Sequence, residues 1–365
     1  MNKEFNRIAE ASAAVAEAVK LVSPKVISIY PITPQTHIVE KLAGLVNNGE
    51  LKAEVILAES EHSMVSALIG ASLAGVRCFS STASQGLAYA NEVLHLISGM
   101  RLPCVMAIGT RALSAPINIW GDHSDVMNSR DTSWIQLHCR NVQSAFDTII
   151  QAYKIAEKVS LPVMVILDGF TLTHTFEPIK LLTKSQVKGF LGKFKPKHNL
   201  NVNKPMTFGP VAFPEDFMEI KHQQAKLMDK ASYVIKDVNN AFKNKFNRRY
   251  GNGLIEVFNP DYNKVIIASG TTAETARNLK CTVIHLRSFR PFPFKELKQV
   301  CEGREVVVID RSYSYGSGGP MALEVRNVIP EARSAIMGLG GRDVSLSDLE
   351  KVINSNKKDM WVDNL

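Results

Sequence analysis

The chain has 365 residues, of which 45% are hydrophobic and 21% are charged, and its formal net charge is +8. This is the composition of a globular protein of about two domains, which excludes a disordered or fibrous chain. No apolar run reaches about 18 residues and the N-terminus lacks the pattern of a signal peptide, so we expect no membrane segment and a cytoplasmic location.

The spacing of the cysteines excludes further classes of binding site. The five cysteines lie far apart in the sequence, and no CxxC pair occurs. The sequence therefore predicts no iron–sulfur, zinc or other metal site on this chain. The excess of lysine favours either an acidic partner or a solvated linker, and without an aromatic-interleaved basic motif we expect no nucleic-acid binding.

Short apolar strands alternate with helices along the first half of the chain. The pattern predicts one amphipathic helix over residues 6–23, strands near 26–30, 55–58, 77–79, 103–109 and 161–167, a helix of small residues after Glu61, and helices near 36–47, 87–100 and 145–159. Such alternation indicates a doubly wound, parallel α/β sheet. Polar turns follow these strands, so their side chains should gather at the carboxyl edge of the sheet; the turns hold Thr33, Glu61, Ser84, Arg111 and Asp168.

Residues 181–255 interrupt this alternation. They are rich in Lys and Asn and contain one amphipathic helix near 217–245, so we interpret them as a connecting arm. The arm joins a first domain, residues 1–180, to a smaller α/β domain, residues 256–365. The glycine turn GSGG in the second domain lacks both the GxGxxG spacing and a Walker lysine, which favours a tight turn over a phosphate cradle.

Two carboxylates, Glu59 and Glu61, open the helix of small residues. An ionised carboxylate is costly to bury unless it is paired or protonated, so an acid at this place is either hydrogen-bonded structure or chemistry. Arg111, at the end of a strand, is a candidate clamp for a carboxylate, and a structural ion pair is the alternative. From the residues alone, both roles stay open.

Six motifs, taken in order, carry a resemblance: YPITP at 30–34, ESEH at 59–62, TASQGL at 82–87, TRA at 110–112, IWGDHSD at 119–125 and DGF at 168–170. With them the sequence resembles the alpha subunits of the thiamine-diphosphate-dependent 2-oxoacid:acceptor oxidoreductase family, and among these the pyruvate:ferredoxin oxidoreductases. The resemblance spans nearly the whole chain. It implies that residues 1–180 bind the pyrimidine ring of thiamine diphosphate and that residues 256–365 resemble the carboxyl-terminal domain of transketolase-like enzymes.

The resemblance assigns roles to four residues. Glu61 matches the catalytic glutamate that hydrogen-bonds N1′ of the aminopyrimidine, which selects it over Glu59. Thr33 and Arg111 match the residues that bind the 2-oxoacid, and Pro31 matches a position beside the cofactor. The implied reaction is the reversible oxidative decarboxylation of pyruvate, with coenzyme A, to acetyl-CoA and CO2.

The resemblance also implies partner subunits, without which the chain should be inactive. A beta subunit would hold the diphosphate, the magnesium ion and [4Fe-4S] clusters, and with gamma and delta subunits the complex would reduce ferredoxin or flavodoxin. Two alternatives stay open. One is an alpha subunit that acts on 2-oxoglutarate or a branched-chain 2-oxoacid, and the other is a non-catalytic α/β assembly subunit in which the glutamates are structural.

Overall fold

Two mainly parallel β-sheets, each covered by helices, form the framework of the chain in a computed structural model that describes residues 5–362. The strands are β1 (Phe5–Glu10), β2 (Val26–Ile29), β3 (Glu54–Leu57), β4 (Cys78–Thr82), β5 (Val105–Thr110), β6 (Ile135–His138), β7 (Val163–Asp168), β8 (Phe176–Leu181), β9 (Ile255–Phe258), β10 (Lys264–Ala268), β11 (Thr282–Leu286), β12 (Ser288–Arg290), β13 (Glu305–Asp310), β14 (Arg333–Ile336) and β15 (Asp359–Trp361).

The helices fill the intervals between the strands. They are α1 (Ala11–Val22), α2 (Thr36–Asn47), α3 (Glu61–Leu73), α4 (Ser84–Tyr89), α5 (Asn91–Gly99), α6 (Ser124–Asn128), α7 (Val142–Val159), α8 (Lys184–Leu191), α9 (Pro214–Phe246), α10 (Gly270–Ala276), α11 (Phe294–Cys301), α12 (Pro320–Arg326) and α13 (Leu346–Asn354). Within residues 5–362, no helix is long and apolar enough to cross a membrane.

The first sheet has the strand order β12-β6-β7-β5-β4-β2-β3, and its strands are parallel except for the antiparallel edge strand β12. The second sheet has the order β15-β14-β13-β10-β11-β9, in which only the pairing of β9 is antiparallel. Strands β1 and β8 form a separate antiparallel ribbon. The predicted fold class, a doubly wound α/β sheet with a second, smaller α/β domain, is confirmed.

Helices on both faces of the first sheet make two apolar cores. One core packs α1, α7 and the second half of α9 against the sheet. The other lies under α3 and α5 and continues into the second sheet, where it takes in residues of β10, β11 and β13. Because one core serves both sheets, the two sheets are held in a fixed relation, and the loops between them can form a shared junction.

Two predicted elements are wrong, and long-range pairing is the reason for both. Residues 6–23 are not one helix, because β1 pairs with β8, which lies more than 160 residues away, and α1 begins only at Ala11. The segment Ser80–Thr82, predicted as a turn, continues β4, because it pairs with β5 along its length. The predicted helix over 87–100 is divided at Ala90 into α4 and α5.

The division into three regions at residues 180 and 255 stays a prediction, and contacts between the regions cross both boundaries. Strand β12, from the third region, pairs with β6 of the first sheet. Helix α9, from the predicted arm, places Ile235, Val238 and Phe242 in the core of the first sheet.

Candidate active site

The carboxyl ends of β2, β4, β5 and β7 lie at one edge of the first sheet, because these strands are parallel neighbours. Pro31 and Thr33 follow β2, Ser84 follows β4, Arg111 follows β5 directly, and β7 ends with Asp168. In open α/β sheets this edge is where ligands bind. The structure therefore brings the predicted residues to the place where a site is expected.

Glu61 is the first residue of α3 and is only 8% exposed. Ser60 caps the helix, and its hydroxyl accepts a hydrogen bond from the Ser63 amide at 3.2 Å. The N-terminal end of a helix carries a partial positive charge, which stabilises a carboxylate at that place. Among the described residues, however, the Glu61 carboxylate has no hydrogen-bond or ion-pair partner, although a buried carboxylate is costly to leave unpaired.

Gly86 makes room for the Glu61 carboxylate. A Cβ atom at residue 86 would lie 2.4 Å from Oε1 of Glu61 and 2.6 Å from Oγ1 of Thr82. The Thr82 hydroxyl is itself buried and has no hydrogen-bond partner. The TASQGL motif thus forms a wall beside Glu61, and the absence of a side chain at Gly86 is what allows the close approach.

Glu59 differs from Glu61 in exposure and in pairing. Its side chain is exposed, and the Ser63 hydroxyl donates a hydrogen bond to it. This hydrogen bond lowers the pKa of Glu59 below its usual value. The Glu59 carboxylate therefore has a hydrogen-bond partner within the chain and contact with solvent, whereas the Glu61 carboxylate has no partner among the described residues.

Arg111 and Thr33 lie in contact. Nη1 of Arg111 donates to the backbone carbonyl of Thr33 at 3.1 Å, and Nε donates to the carbonyl of Asn118 at 2.9 Å. The arginine is 7% exposed, and burial lowers its pKa. Nη2 has no hydrogen-bond partner among the described residues, so one edge of a well-fixed guanidinium remains able to bind an anion.

Asp125, which sequence reasoning did not single out, ties these segments together. Its carboxylate accepts hydrogen bonds from the backbone amides of Ser84 (2.8 Å), Arg111 (3.0 Å) and Val126 (2.7 Å). Burial raises the pKa of Asp125 to about 7, against the opposing effect of these amides. One carboxylate thus fixes the turn after β4, which forms the wall beside Glu61, to the backbone of Arg111. An acid opening a short helix, in the motif GDHSD, was the available signal.

Asp168 lies at the same edge but is fully satisfied inside the chain. It accepts hydrogen bonds from His123 Nε2 (2.8 Å), Arg311 Nη1 (3.1 Å) and the Thr271 amide (2.7 Å). Burial alone would raise the pKa of Asp168, but Arg311 and His123 hold it well below its usual range. Two of these partners come from the unit of the second sheet, Thr271 from α10 and Arg311 from the turn after β13, so Asp168 serves the junction between the sheets.

The unpaired carboxylate of Glu61 meets the requirement for binding a protonated ring nitrogen such as that of an aminopyrimidine. Such a ligand would supply a hydrogen-bond partner to this carboxylate. Pro31, also predicted at the site, is exposed beyond the end of β2. Within residues 5–362, no cluster of His, Cys, Asp and Glu side chains is arranged to hold a metal ion.

Comparisons with known proteins show the family to which the chain belongs. The family model described as pyruvate flavodoxin/ferredoxin oxidoreductase, thiamine-diphosphate-binding, matches residues 17–240, and that of pyruvate:ferredoxin oxidoreductase core domain II matches residues 263–349. Pyruvate synthase subunit PorA of Methanocaldococcus jannaschii is 45% identical, over 96% of this chain and 95% of that protein. Ketoisovalerate oxidoreductase subunit VorA of Pyrococcus abyssi is 35% identical, over 99% of this chain and 98% of that protein.

A solved structure shares the fold. The 2-oxoglutarate:ferredoxin oxidoreductase from Magnetococcus marinus aligns with 96% of this chain at a TM-score of 0.72 and 17% identity. The alignment covers 65% of that longer chain.

The fold and the family model together define a thiamine-diphosphate-binding α/β subunit of an oxidoreductase. The chain belongs to the pyruvate flavodoxin/ferredoxin oxidoreductase family, as the family model and the curated relatives show. The family predicted from the six motifs is therefore confirmed. The roles of Glu61, Thr33, Arg111 and Pro31 are not tested by these comparisons and stay predictions.

Proposed function

We propose that the chain is the alpha subunit of a pyruvate synthase, which converts pyruvate and coenzyme A to acetyl-CoA and CO2, reversibly, with ferredoxin or flavodoxin as electron acceptor. The observation that carries the proposal is the buried, unpartnered carboxylate of Glu61 at the same edge of the sheet as the fixed guanidinium of Arg111. The relation to PorA proteins, at 45% and 42% identity in two of them, favours pyruvate over other 2-oxoacids.

Glu61 is the residue proposed to hold the cofactor's pyrimidine ring. Its carboxylate accepts a hydrogen bond from the ring and shares that proton, and Gly86 leaves it the space to do so. Pro31 lies on the neighbouring turn and contributes an apolar contact. When bound, thiamine diphosphate supplies the carbon nucleophile that makes decarboxylation of a 2-oxoacid possible.

Arg111 and Thr33 are proposed to hold the substrate. The free Nη2 of Arg111 binds the carboxylate of pyruvate, and the Thr33 hydroxyl donates to the carboxylate or to the ketone oxygen. Since Arg111 is fixed by two carbonyl groups and by Asp125 through its backbone, it binds without reorganising. Such preorganised, charge-assisted contacts orient the substrate for reaction.

The rest of the site is assigned to partner subunits. A beta subunit supplies the diphosphate site, magnesium and [4Fe-4S] clusters, and gamma and delta subunits complete a cytoplasmic complex. The chain alone is then inactive, and turnover by the purified single chain would contradict this assignment.

A substrate panel on the assembled complex tests the choice of substrate. Pyruvate, 2-oxoglutarate and 2-oxoisovalerate are compared as substrates for the coenzyme A-dependent reduction of a ferredoxin or a dye. We expect the highest kcat/KM with pyruvate. A preference for 2-oxoisovalerate would instead support the alternative that VorA, at 35% identity, represents.

A further inference from the structure

One feature of the sequence has no part in the proposed site: the lysine-rich segment before α9. We define the basic arm as residues 178–213, which contain seven lysines and no aspartate, glutamate or arginine. The lysines are Lys180, Lys184, Lys188, Lys193, Lys195, Lys197 and Lys204. All seven are exposed, and none has an ion-pair partner among the described residues. Within residues 178–213 the arm is thus a concentrated positive surface, and the exposed acids Glu215, Asp216 and Glu219 follow only where α9 begins.

Large apolar side chains are exposed along the same arm. Val202 is 95% exposed, Val211 is 86% exposed and Phe213 is 67% exposed, and Phe217 and Met218 continue this apolar surface onto the first turns of α9. Exposed apolar groups next to charged ones are typical of a surface that another protein covers. A merely solvated linker gains nothing from these side chains.

The basic arm is fastened to the body of the chain. The amide of Leu200 donates to the carbonyl of Leu73 at 2.8 Å, and Nη2 of Arg77 donates to the carbonyl of Gly192 at 3.2 Å. Pro196 packs so closely on Gly75 that a Cβ at residue 75 would lie 3.3 Å from its ring. The arm is therefore held in place before any partner arrives, which lowers the entropic cost of binding.

Its attachment relates the arm to the candidate active site. The arm crosses the C-terminal end of α3, the helix that Glu61 begins, so the arm lies about 20 Å from Glu61 along that helix. Leu57, at the end of the edge strand β3, and Leu96 of α5 are also exposed. A subunit that covers Glu61 can reach the arm across α3.

We propose that the basic arm is a docking surface for an acidic, partly apolar surface on a partner subunit of the same complex. Charge complementarity selects an acidic partner, and the interleaved apolar side chains select a protein. Nucleic acid is disfavoured because the arm has no arginine, the residue best suited to bidentate phosphate contacts. The proposal rests on the proposed function in one respect, namely that the chain works within a multi-subunit complex.

Zero-length cross-linking of the purified complex tests the contact directly. A carbodiimide joins a lysine amine to a carboxylate only where the two already touch. We expect peptides that link Lys193, Lys195, Lys197 or Lys204 to Asp or Glu of another subunit. Links only to a second copy of this chain, or no arm links while other subunits are cross-linked to each other, would overturn the proposal.

Charge neutralisation tests the energetic role. The variant K193Q/K195Q/K197Q/K204Q removes four arm charges, and the matched control K280Q/K295Q/K298Q/K357Q removes four exposed, unpaired lysines of the second domain. In subunit association at about 50 mM salt, we expect the arm variant to bind about tenfold more weakly, with a smaller salt dependence, and the control to bind like wild type. Equal binding by both variants would overturn the proposal, as would an arm-dependent association with nucleic acid that nuclease removes.

Pyruvate-dependent turnover, measured in the same preparations, separates this inference from the proposed function. If arm links are found but the complex does not oxidise pyruvate, the docking surface stands and the substrate assignment fails. If the complex oxidises pyruvate and the arm variant assembles normally, the substrate assignment stands and the docking surface fails.

Discussion

Asp168 and Glu61 are buried carboxylates at the same edge of one sheet, and their surroundings are opposite. Asp168 accepts hydrogen bonds from His123, Arg311 and Thr271, all within the chain. Glu61 has no partner among the described residues. A carboxylate whose hydrogen-bond partners all lie within the chain fixes the junction of two sheets, whereas a carboxylate without partners is suited to bind a ligand. The comparison shows that burial alone does not identify a functional acid, because the hydrogen-bond and ion-pair partners of the carboxylate decide its role.

Replacing Glu61 with Gln should give the largest effect on activity. We expect turnover of the assembled complex to fall about 10²–10⁴-fold, because an amide cannot share the ring proton as a carboxylate does. Loss of heat released on binding thiamine diphosphate, measured by calorimetry, checks the same contact without turnover. Glu59→Gln, two residues away and exposed, is the control and should resemble wild type.

Replacing Asp168 with Asn should give the largest effect on stability. The change leaves Arg311 without its buried counter-charge and alters the partner of His123 Nε2, so the free energy of unfolding should fall by about 3–5 kcal/mol. Because the pKa of Asp168 is lowered in the folded chain, its contribution is present above the usual aspartate pKa and is lost in acid. Denaturant unfolding should therefore show a constant difference between wild type and variant from pH 7 to about pH 4, and this difference should shrink progressively as the pH is lowered further. A difference that does not shrink below about pH 4 would contradict the assignment.

Arg111→Gln should weaken substrate binding by a smaller factor. Removal of a charge-assisted hydrogen bond worth about 1.5–3 kcal/mol should lower kcat/KM for pyruvate by about 10–150-fold. Binding of thiamine diphosphate should be unchanged, in contrast to the Glu61 variant. If both ligands are lost equally, Arg111 is structural and the site has lost its shape.

Asp125→Asn should give the smallest effect and a pH dependence opposite to that of Asp168. The pKa of Asp125 is raised to about 7 in the folded chain, so its ionisation reduces stability as pH rises from about 4 to about 7. The variant should therefore cost less stability at pH 8 than at pH 5, when unfolding is followed at both pH values. As a positioning residue it should raise KM for pyruvate more than it lowers kcat, and the exposed Asp131→Asn should change neither.

The sequence predicts correctly those helices and strands that are marked by a local pattern of residues. Strands β2 and β3 and helix α2 were predicted within a residue or so, since apolar periodicity and flanking turns mark them. Strands β1 and β12 were not predicted, because each is held by a strand far away in the sequence, β8 and β6 respectively. Nothing in the six residues of β1 distinguishes them from the helix that follows.

The sequence by itself determined the family and the order of the chemical residues along the chain, because strand-and-helix alternation and the six motifs are local in sequence. Only the tertiary structure decided which carboxylates are satisfied. It paired Asp168 with Arg311 from the second sheet, used Asp125 to join the turns after β4 and β5, and left Glu61 unpartnered beside Gly86. These outcomes depend on contacts between distant residues, and such contacts exist only once both sheets have packed on their common core.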